Sequence, residues 1–185
     1  MAKGGAFEHT VIRRLAEAFK PLGISEDDIF RTKNSGATKK QPGDIQFSPA
    51  MAKLWPVLVE CKHYKTVPYS LGKTISGLKK TNLLQVWWKQ VMREQKERKD
   101  KMGILVFRQN QCPIVVALRV DHHQALTKEM PNWMHYSWCM FTSWKSQAIV
   151  MVPFDEFLVF AIDAIKAHRR NIVKAKRIMK REEKV

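Results

Sequence analysis

Apolar residues recur at helical spacing early in the chain and then give way to short β-forming runs. Residues 5–20 predict an amphipathic helix with an inward stripe of apolar side chains: Phe7, Val11, Ile12, Leu15, Ala18 and Phe19. Residues 28–32 predict a short strand. Residues 45–47 and 57–62 predict two more strands, because β-forming residues are bounded there by turn residues. A turn between the last two would make them a hairpin.

The second half of the chain continues this alternation. Apolar positions predict a helix from Leu83 to about Lys101, and the continuous apolar run at 103–107 predicts a buried strand. Further strands are expected at 113–120 and 148–152, and Pro153 is placed to start a final helix.

A helix between two strands indicates a parallel crossover, so we expect an α/β fold. The fold would be a mixed central sheet flanked by helices, with a basic C-terminal helix. Residues 1–153 would form the main domain, and residues 154–185, the last helix and its tail, would pack on it.

Charge points to the class of partner. The 185 residues carry 33 Lys and Arg against 17 Asp and Glu, a net charge of +16, and 16 of these cations lie between residues 31 and 101. Such an excess indicates an anionic partner. Nucleic acid is favoured over a membrane, because the sequence contains no run of 18 apolar residues and opens with no signal peptide. We therefore expect an intracellular, cytoplasmic and DNA-associated protein with no membrane partner.

Three cysteines, an odd number at wide spacing, predict neither a disulfide framework nor a zinc site. They indicate a reducing compartment, in which Cys61 and Cys112 would be small core residues.

Candidate chemistry is concentrated between Gly43 and Lys62. Side chains alternate along a strand, so Glu60 and Lys62 would share one face, roughly 6.5 Å apart, while Cys61 points to the other. Asp44 would begin the partner strand. Charges that close on one spot are costly to desolvate unless a divalent cation, Mg²⁺ being the first choice, offsets the repulsion between the two carboxylates.

The alternative for the same residues is an ion pair on an edge strand. Glu-x-Lys occurs twice more, at 94–96 and 182–184, where charged helical surroundings favour ordinary solvated faces. Only the copy at Glu60 ends an apolar β-run with Gly-Asp upstream.

Gly43-Asp44 followed by Val59-Glu60-Cys61-Lys62 resembles the PD-(D/E)xK nuclease pattern, with Gly in place of its Pro. The chain also has a helix carrying Gly5-Ala6-Phe7-Glu8, then Arg31 to Gly36, then a basic, aromatic helix after the Lys. This order, across roughly residues 3–108, resembles the archaeal-type Holliday junction resolvases of that superfamily. His9 departs from it, because archaeal members carry Arg there, and about 75 residues follow the matched part.

The resemblance implies a restriction-endonuclease-like fold and a metal-dependent endodeoxyribonuclease that resolves four-way DNA junctions by paired nicks as a homodimer. Glu8, Asp44 and Glu60 would bind Mg²⁺, with Mn²⁺ as a substitute, and Lys62 would be catalytic. Arg31 and Ser35 would support cleavage, and the Cys61 carbonyl would complete the metal shell. Gln85 resembles a helix Gln of some related nucleases. A RecB-like or restriction-like nuclease, or a non-enzymatic basic DNA-binding protein, remains the alternative.

Residues 33–42 could be an ordinary surface loop or a loop that grips phosphate, and with the resemblance the second is favoured. Ser35 would then donate a hydrogen bond to a phosphate. The cations expected to bind DNA are Arg31, Lys33, Lys39, Lys40 and Lys65.

Two further segments keep alternatives open. The tryptophans of 133–144 could stack bases or could cover the sheet or a dimer interface. The basic residues after Lys166 could be an exposed helix end or, as slightly favoured, an arm along the phosphate backbone.

Overall fold

A seven-stranded mixed sheet organises the protein. The computed structural model describes residues 3–32, 42–64, 83–127, 139–142 and 148–182. The strands are β1 (Ile29–Arg31), β2 (Ile45–Phe47), β3 (Val57–Tyr64), β4 (Met102–Gln109), β5 (Val115–Arg119), β6 (Cys139–Thr142) and β7 (Ala148–Pro153). They lie in the order β1-β2-β3-β4-β5-β7-β6. β3 and β4 are parallel, and the other neighbouring pairs are antiparallel.

The α-helices of the described residues are α1 (Lys3–Phe19), α2 (Pro49–Leu54), α3 (Leu83–Arg98), α4 (Val120–Thr127) and α5 (Phe154–Glu182). α3 connects the parallel pair, in which Val57 lies opposite Met102 and Tyr64 opposite Gln109. The predicted crossover is therefore confirmed, and so is the α/β architecture. None of the described helices is long and apolar enough to span a bilayer.

The sheet separates two hydrophobic layers. Buried residues of α1 and α5 pack on one face, where Phe19, Trp55 and Phe157 meet. α3 packs on the other face through four buried side chains: Leu84, Trp87, Trp88 and Val91.

Alternation along β3 decides which layer each of its side chains enters. Val59 and Cys61 belong to the α1 layer, whereas Leu58 belongs to the α3 layer. Glu60 and Lys62 follow Leu58 at intervals of two residues, so they face α3.

Two details differ from the sequence-based expectations. β2 and β3 pair as predicted, but helix α2 joins them in place of a turn: Pro49 starts it, and the Ser48 hydroxyl accepts the Met51 N–H at 3.3 Å. Cys61 is buried, but Cys112 is exposed in the turn after β4 and is not a core residue.

The C-terminal helix is confirmed and continues through the basic residues to Glu182, with its first turns packed through Phe157, Phe160 and Ile165. Of the tryptophan-rich segment 133–144, residues 139–142 form β6, and the rest lies outside the described residues.

Candidate active site

Asp44 lies against β3 at the position between Glu60 and Lys62. Its N–H donates to the Val59 carbonyl at 2.9 Å, and its carboxylate Oδ2 accepts the Cys61 N–H at 2.8 Å. The pairing of β2 with β3 ends before Cys61, since Ile45 opposite Val59 is the last pair between the two strands. The Cys61 amide is therefore available to a side chain. Because the N–H and C=O of one strand residue point to the same edge, the Cys61 carbonyl is directed to the Asp44 side as well.

Glu60 is the most deeply buried acid of the site, with 1% of its surface exposed. Its Oε1 atom accepts hydrogen bonds from Lys62 Nζ at 2.5 Å and from Gln90 Nε2 at 2.6 Å. The ammonium of Lys62 is partly exposed and remains within reach of solvent.

Burial and neighbouring charges shift the pKa values of Asp44, Glu60 and Lys62. Burial, with the nearby Asp44 carboxylate adding to it, raises the pKa of Glu60 to about 8 despite the attraction of Lys62. Burial also raises the pKa of Asp44, against the opposing effects of the Cys61 N–H and Lys62. For Lys62, burial works to lower the pKa, but attraction to Glu60, Asp44 and Glu94 outweighs it and the pKa rises. Lys62 is therefore held charged beside acids that ionise reluctantly.

Glu8 lies in the same neighbourhood and is buried, with 6% exposure, although a helix-edge Glu usually stays solvated. Its Oε2 atom accepts from Arg31 Nε. The guanidinium lies beside Gly5 of helix α1, where a Cβ atom would be at ordinary contact distance, 3.4 Å from Arg31 Cζ. The repulsion that Glu8 exerts contributes to the raised pKa of Asp44.

Two residues of α3, Gln90 and Glu94, contact the site, although the sequence did not predict a role for them there. Gln90 Nε2 bridges Glu60 Oε1 and Glu94 Oε1, the latter at 2.9 Å, and Glu94 Oε2 accepts the Gly43 N–H at 2.7 Å. The interpretation of Glu94-x-Lys96 as a solvated face is thus wrong, because Glu94 is 9% exposed. Gln90, rather than the half-buried Gln85, supplies the helix amide.

A signal for Glu94 was present in the helical spacing. The buried positions of α3 fall at 84, 87, 88 and 91, and steps of three and four residues carry that stripe on to 94. A carboxylate on a stripe of this kind is either paired or functional.

The backbone conformation and contacts of Gly43 explain why this chain has glycine where the superfamily pattern has proline. Its backbone φ is +80°, and a Cβ atom would lie 3.3 Å from both Leu58 Cγ and the Val59 carbonyl oxygen. Its N–H is also donated to Glu94. Proline can supply neither this φ nor an N–H.

The structure brings together Glu8, Arg31, Asp44, Glu60 and Lys62 of the residues that the sequence singled out. The remaining candidates, Lys33, Ser35, Lys39, Lys40 and Lys65, lie outside the described residues.

Oxygen-rich chemistry at this site fits a divalent cation. Asp44 and Glu60 are paired acids in a poorly solvated place, a donor set that Mg²⁺ prefers, and a cation would offset the repulsion that raises their pKa values. Within the described ranges no three acidic, histidine or cysteine side chains are arranged as a ready cation site. Glu60 is turned to Lys62 and Gln90, and Asp44 to the Cys61 amide.

Comparison with known proteins identifies the family to which this chain is similar. Residues 1–167 match the model of the family described as "Phage putative PDDEXK endonuclease". Searches of curated proteins and of solved structures each returned no match. The match spans α1, the Asp44 and Glu60-x-Lys62 strands, α3 and the first half of α5, and the sheet agrees with a restriction-endonuclease-like fold. The chain belongs to the phage PDDEXK endonuclease family.

Proposed function

We propose that the protein is a Mg²⁺-dependent endodeoxyribonuclease whose metal is held by Asp44 and Glu60. The observation that carries this proposal is the placement of the Asp44 carboxylate on the Cys61 amide, between Glu60 and Lys62 on the adjacent strand. An edge-strand ion pair, the alternative, would leave these groups in solvent, whereas Glu60 is 1% exposed. A buried, partly uncompensated pair of acids is typical of a functional site.

Each residue has a distinct role in this proposal. A divalent cation, when bound, supplies a more acidic water and positive charge near the phosphate oxygens. Asp44 and Glu60 bind it through carboxylate oxygens, and the Cys61 carbonyl is directed to the same side. Lys62 stays protonated at Nζ and orients the attacking water or balances charge on the phosphate in the transition state. Gln90 fixes the Glu60 carboxylate by its hydrogen bond to Oε1.

Glu8 and Arg31 form the outer part of the proposed site. Glu8 completes the metal shell directly or through water, and its buried carboxylate is kept in place by the Arg31 guanidinium. The Arg31 side chain is 41% exposed, so it also has a face available to a DNA phosphate.

DNA is the proposed substrate because of charge. A net charge of +16 gives a phosphate backbone strong, salt-dependent attraction to the protein. Lys33, Lys39, Lys40 and Lys65 immediately follow β1 and β3 or lie in the segment between β1 and Asp44. They are proposed as phosphate contacts, and Ser35 as a hydrogen-bond donor beside the cleaved phosphate.

Four-way junctions are the proposed preferred substrate, on the order of motifs from Glu8 to Lys62 that resembles the junction resolvases. Paired nicks on a symmetric junction require two copies of the site, so the protein would act as an isologous homodimer. A nuclease of linear DNA would use the same residues and differ in substrate alone.

Cleavage of a synthetic four-way junction, compared with linear duplex of matched sequence and with free ends, tests both levels of this proposal. Incubations contain Mg²⁺ or chelator, and Asp44→Asn is the inactive control. We expect Mg²⁺-dependent paired nicks in the junction and none with Asp44→Asn. Cleavage of linear DNA at an equal rate would refute junction selectivity while leaving the nuclease. Binding without any Mg²⁺-dependent cleavage by the wild type would refute the nuclease and leave a basic DNA-binding protein.

A further inference from the structure

A polar stripe on helix α3 holds the segment that carries Asp44. The stripe consists of Gln90, Glu94 and Arg98, which are spaced by four residues and therefore share one face of the helix. Each member contacts the site or its supporting loop. Gln90 binds Glu60, Glu94 binds the Gly43 N–H, and Arg98 Nη1 donates to the Pro42 carbonyl and to Gln46 Oε1, both at 3.3 Å.

Glu94 makes the contact that matters most for Asp44. Gly43 immediately precedes Asp44 and has a left-handed backbone with a φ of +80°. Glycine populates positive and negative φ about equally readily. Local sterics alone therefore do not hold Gly43 in this left-handed conformation. A hydrogen bond to its N–H therefore selects one conformation, and the 2.7 Å bond from a buried carboxylate is of the strong, charge-assisted kind.

The conformation selected at Gly43 fixes where Asp44 points. The peptide after Gly43 donates from Asp44 N to the Val59 carbonyl, and the Asp44 carboxylate then meets the Cys61 N–H. Rotation at Gly43 would displace both bonds together. The charge of Glu94 has two effects on the site: it contributes to raising the pKa values of Asp44 and Glu60, and it helps to keep Lys62 charged.

We infer that Glu94 is a positioning residue, which locks the Gly43 peptide from helix α3 and so aims the Asp44 carboxylate at the metal position. The inference deepens the proposed function and rests on it for the part that concerns metal. The role depends on the reach of the Glu94 side chain, which brings an acceptor oxygen to the Gly43 N–H, and the charge of the carboxylate strengthens that hydrogen bond.

Two conservative substitutions separate reach from charge. Glu94→Gln keeps an acceptor oxygen for the Gly43 N–H but removes the charge and the second acceptor, to which Gln90 Nε2 donates. Glu94→Asp keeps the charge and withdraws the acceptor by one methylene. Glu97→Asp is the matched control, because Glu97 lies on the same helix, is half exposed and has only a long contact of 3.8 Å with Arg93.

The first measurement is hydrogen exchange of the Gly43 amide by NMR in metal-free protein, which requires no activity. We expect Glu94→Asp to speed exchange by about tenfold or more, the effect of losing a charge-assisted hydrogen bond, and Glu94→Gln to speed it by less, because a neutral acceptor remains. Glu97→Asp should stay within about threefold of the wild type. Exchange at Gly43 that is unchanged in Glu94→Asp would overturn the inference.

The second measurement is the Mg²⁺ concentration that gives half-maximal DNA cleavage. We expect about a tenfold increase for Glu94→Asp, since Asp44 is then less well aimed, and a smaller increase for Glu94→Gln, which keeps an acceptor oxygen for Gly43. A loss in Glu94→Gln that equals the loss in Glu94→Asp would overturn the inference, because it would make Glu94 a charged ligand in its own right.

The failure of the proposed function has a different signature. In that case the wild type shows no Mg²⁺-dependent cleavage at all, while the exchange of the Gly43 amide still reports on Glu94.

Discussion

Replacing Gly43 with proline brings the sequence closer to the superfamily pattern. On this structure, however, the substitution should lower both stability and DNA cleavage. Proline locks φ near about −65°, whereas Gly43 has a φ of +80°. The substitution also removes the N–H that Glu94 accepts at 2.7 Å. Both losses fall on the peptide that leads into Asp44.

The size of the effect follows from these two contacts. Gly43→Ala keeps the N–H but adds the cost of a left-handed backbone, roughly 1–2 kcal/mol. Its Cβ atom would also lie 3.3 Å from Leu58 Cγ and from the Val59 carbonyl oxygen. Gly43→Pro adds the loss of a hydrogen bond to a buried carboxylate, a further ~1.5–3 kcal/mol. We therefore expect about 2.5–5 kcal/mol for proline.

Urea denaturation and Mg²⁺-dependent cleavage, measured on the same preparations, check this order of effects. Stability should decrease from wild type through Gly43→Ala to Gly43→Pro, and cleavage by Gly43→Pro should fall by at least about 100-fold because Asp44 is misplaced. Gly23→Ala is the matched control, since Gly23 has a φ of +70° but nothing within 4 Å of its would-be Cβ. It should cost only backbone strain and leave cleavage intact. Wild-type stability and cleavage in Gly43→Pro would refute the assigned backbone and the role of the Gly43 N–H.

Three more predictions concern the site and the helix that supports it. In chelator, the free energy of unfolding should fall as pH rises from about 5 to about 8: the Glu60 pKa is raised to about 8 in the folded protein from 4.5, so folding takes up a proton in that window. Urea titrations across this range should show a flatter dependence in Glu60→Gln, and an equal slope would contradict the assignment. Lys62→Met should lower the cleavage rate by at least about 100-fold at saturating Mg²⁺ with DNA affinity nearly unchanged, and retained cleavage would remove Lys62 from the mechanism. Gly103→Ala should destabilise by about 1–3 kcal/mol through overpacking, because its Cβ atom would lie 2.8 Å from Val91 Cγ1; unchanged thermal stability would refute the close approach of α3 to β4.

Local patterns predicted the elements well because each element was specified by its own residues. The stripe from Phe7 to Phe19 gave α1, and the apolar run after Gly103 gave β4. The connection at 48–54 contains a helix and not the predicted turn, because the Ser48 cap and Pro49 at the first helical position are helix-starting signals as well as turn residues.

The site was predicted only as far as strand alternation reaches. Alternation placed Glu60 and Lys62 on one face, the predicted hairpin placed Asp44 at the start of the partner strand, and the family resemblance added Glu8 and Arg31. Neither strand alternation nor the family resemblance could identify Gln90 and Glu94. These residues lie 30 or more positions further along the chain than Glu60 and contact the site because α3 packs on the sheet. The charged sequence neighbours of Glu94 predict a solvated face at 94–96, but Glu94 lies on the buried stripe of α3.

The sequence by itself determined the α/β layout, the cationic character and the acid-acid-lysine core of the candidate site, because these depend on periodicity, net charge and the spacing of residues on adjacent strands. Tertiary structure alone decided that Glu8 is buried against Arg31, that α3 supplies a second set of polar groups, and why glycine stands before Asp44. The physical reason is that burial, pKa and backbone selection at Gly43 depend on contacts between segments far apart in the chain, and no local pattern encodes which segments meet.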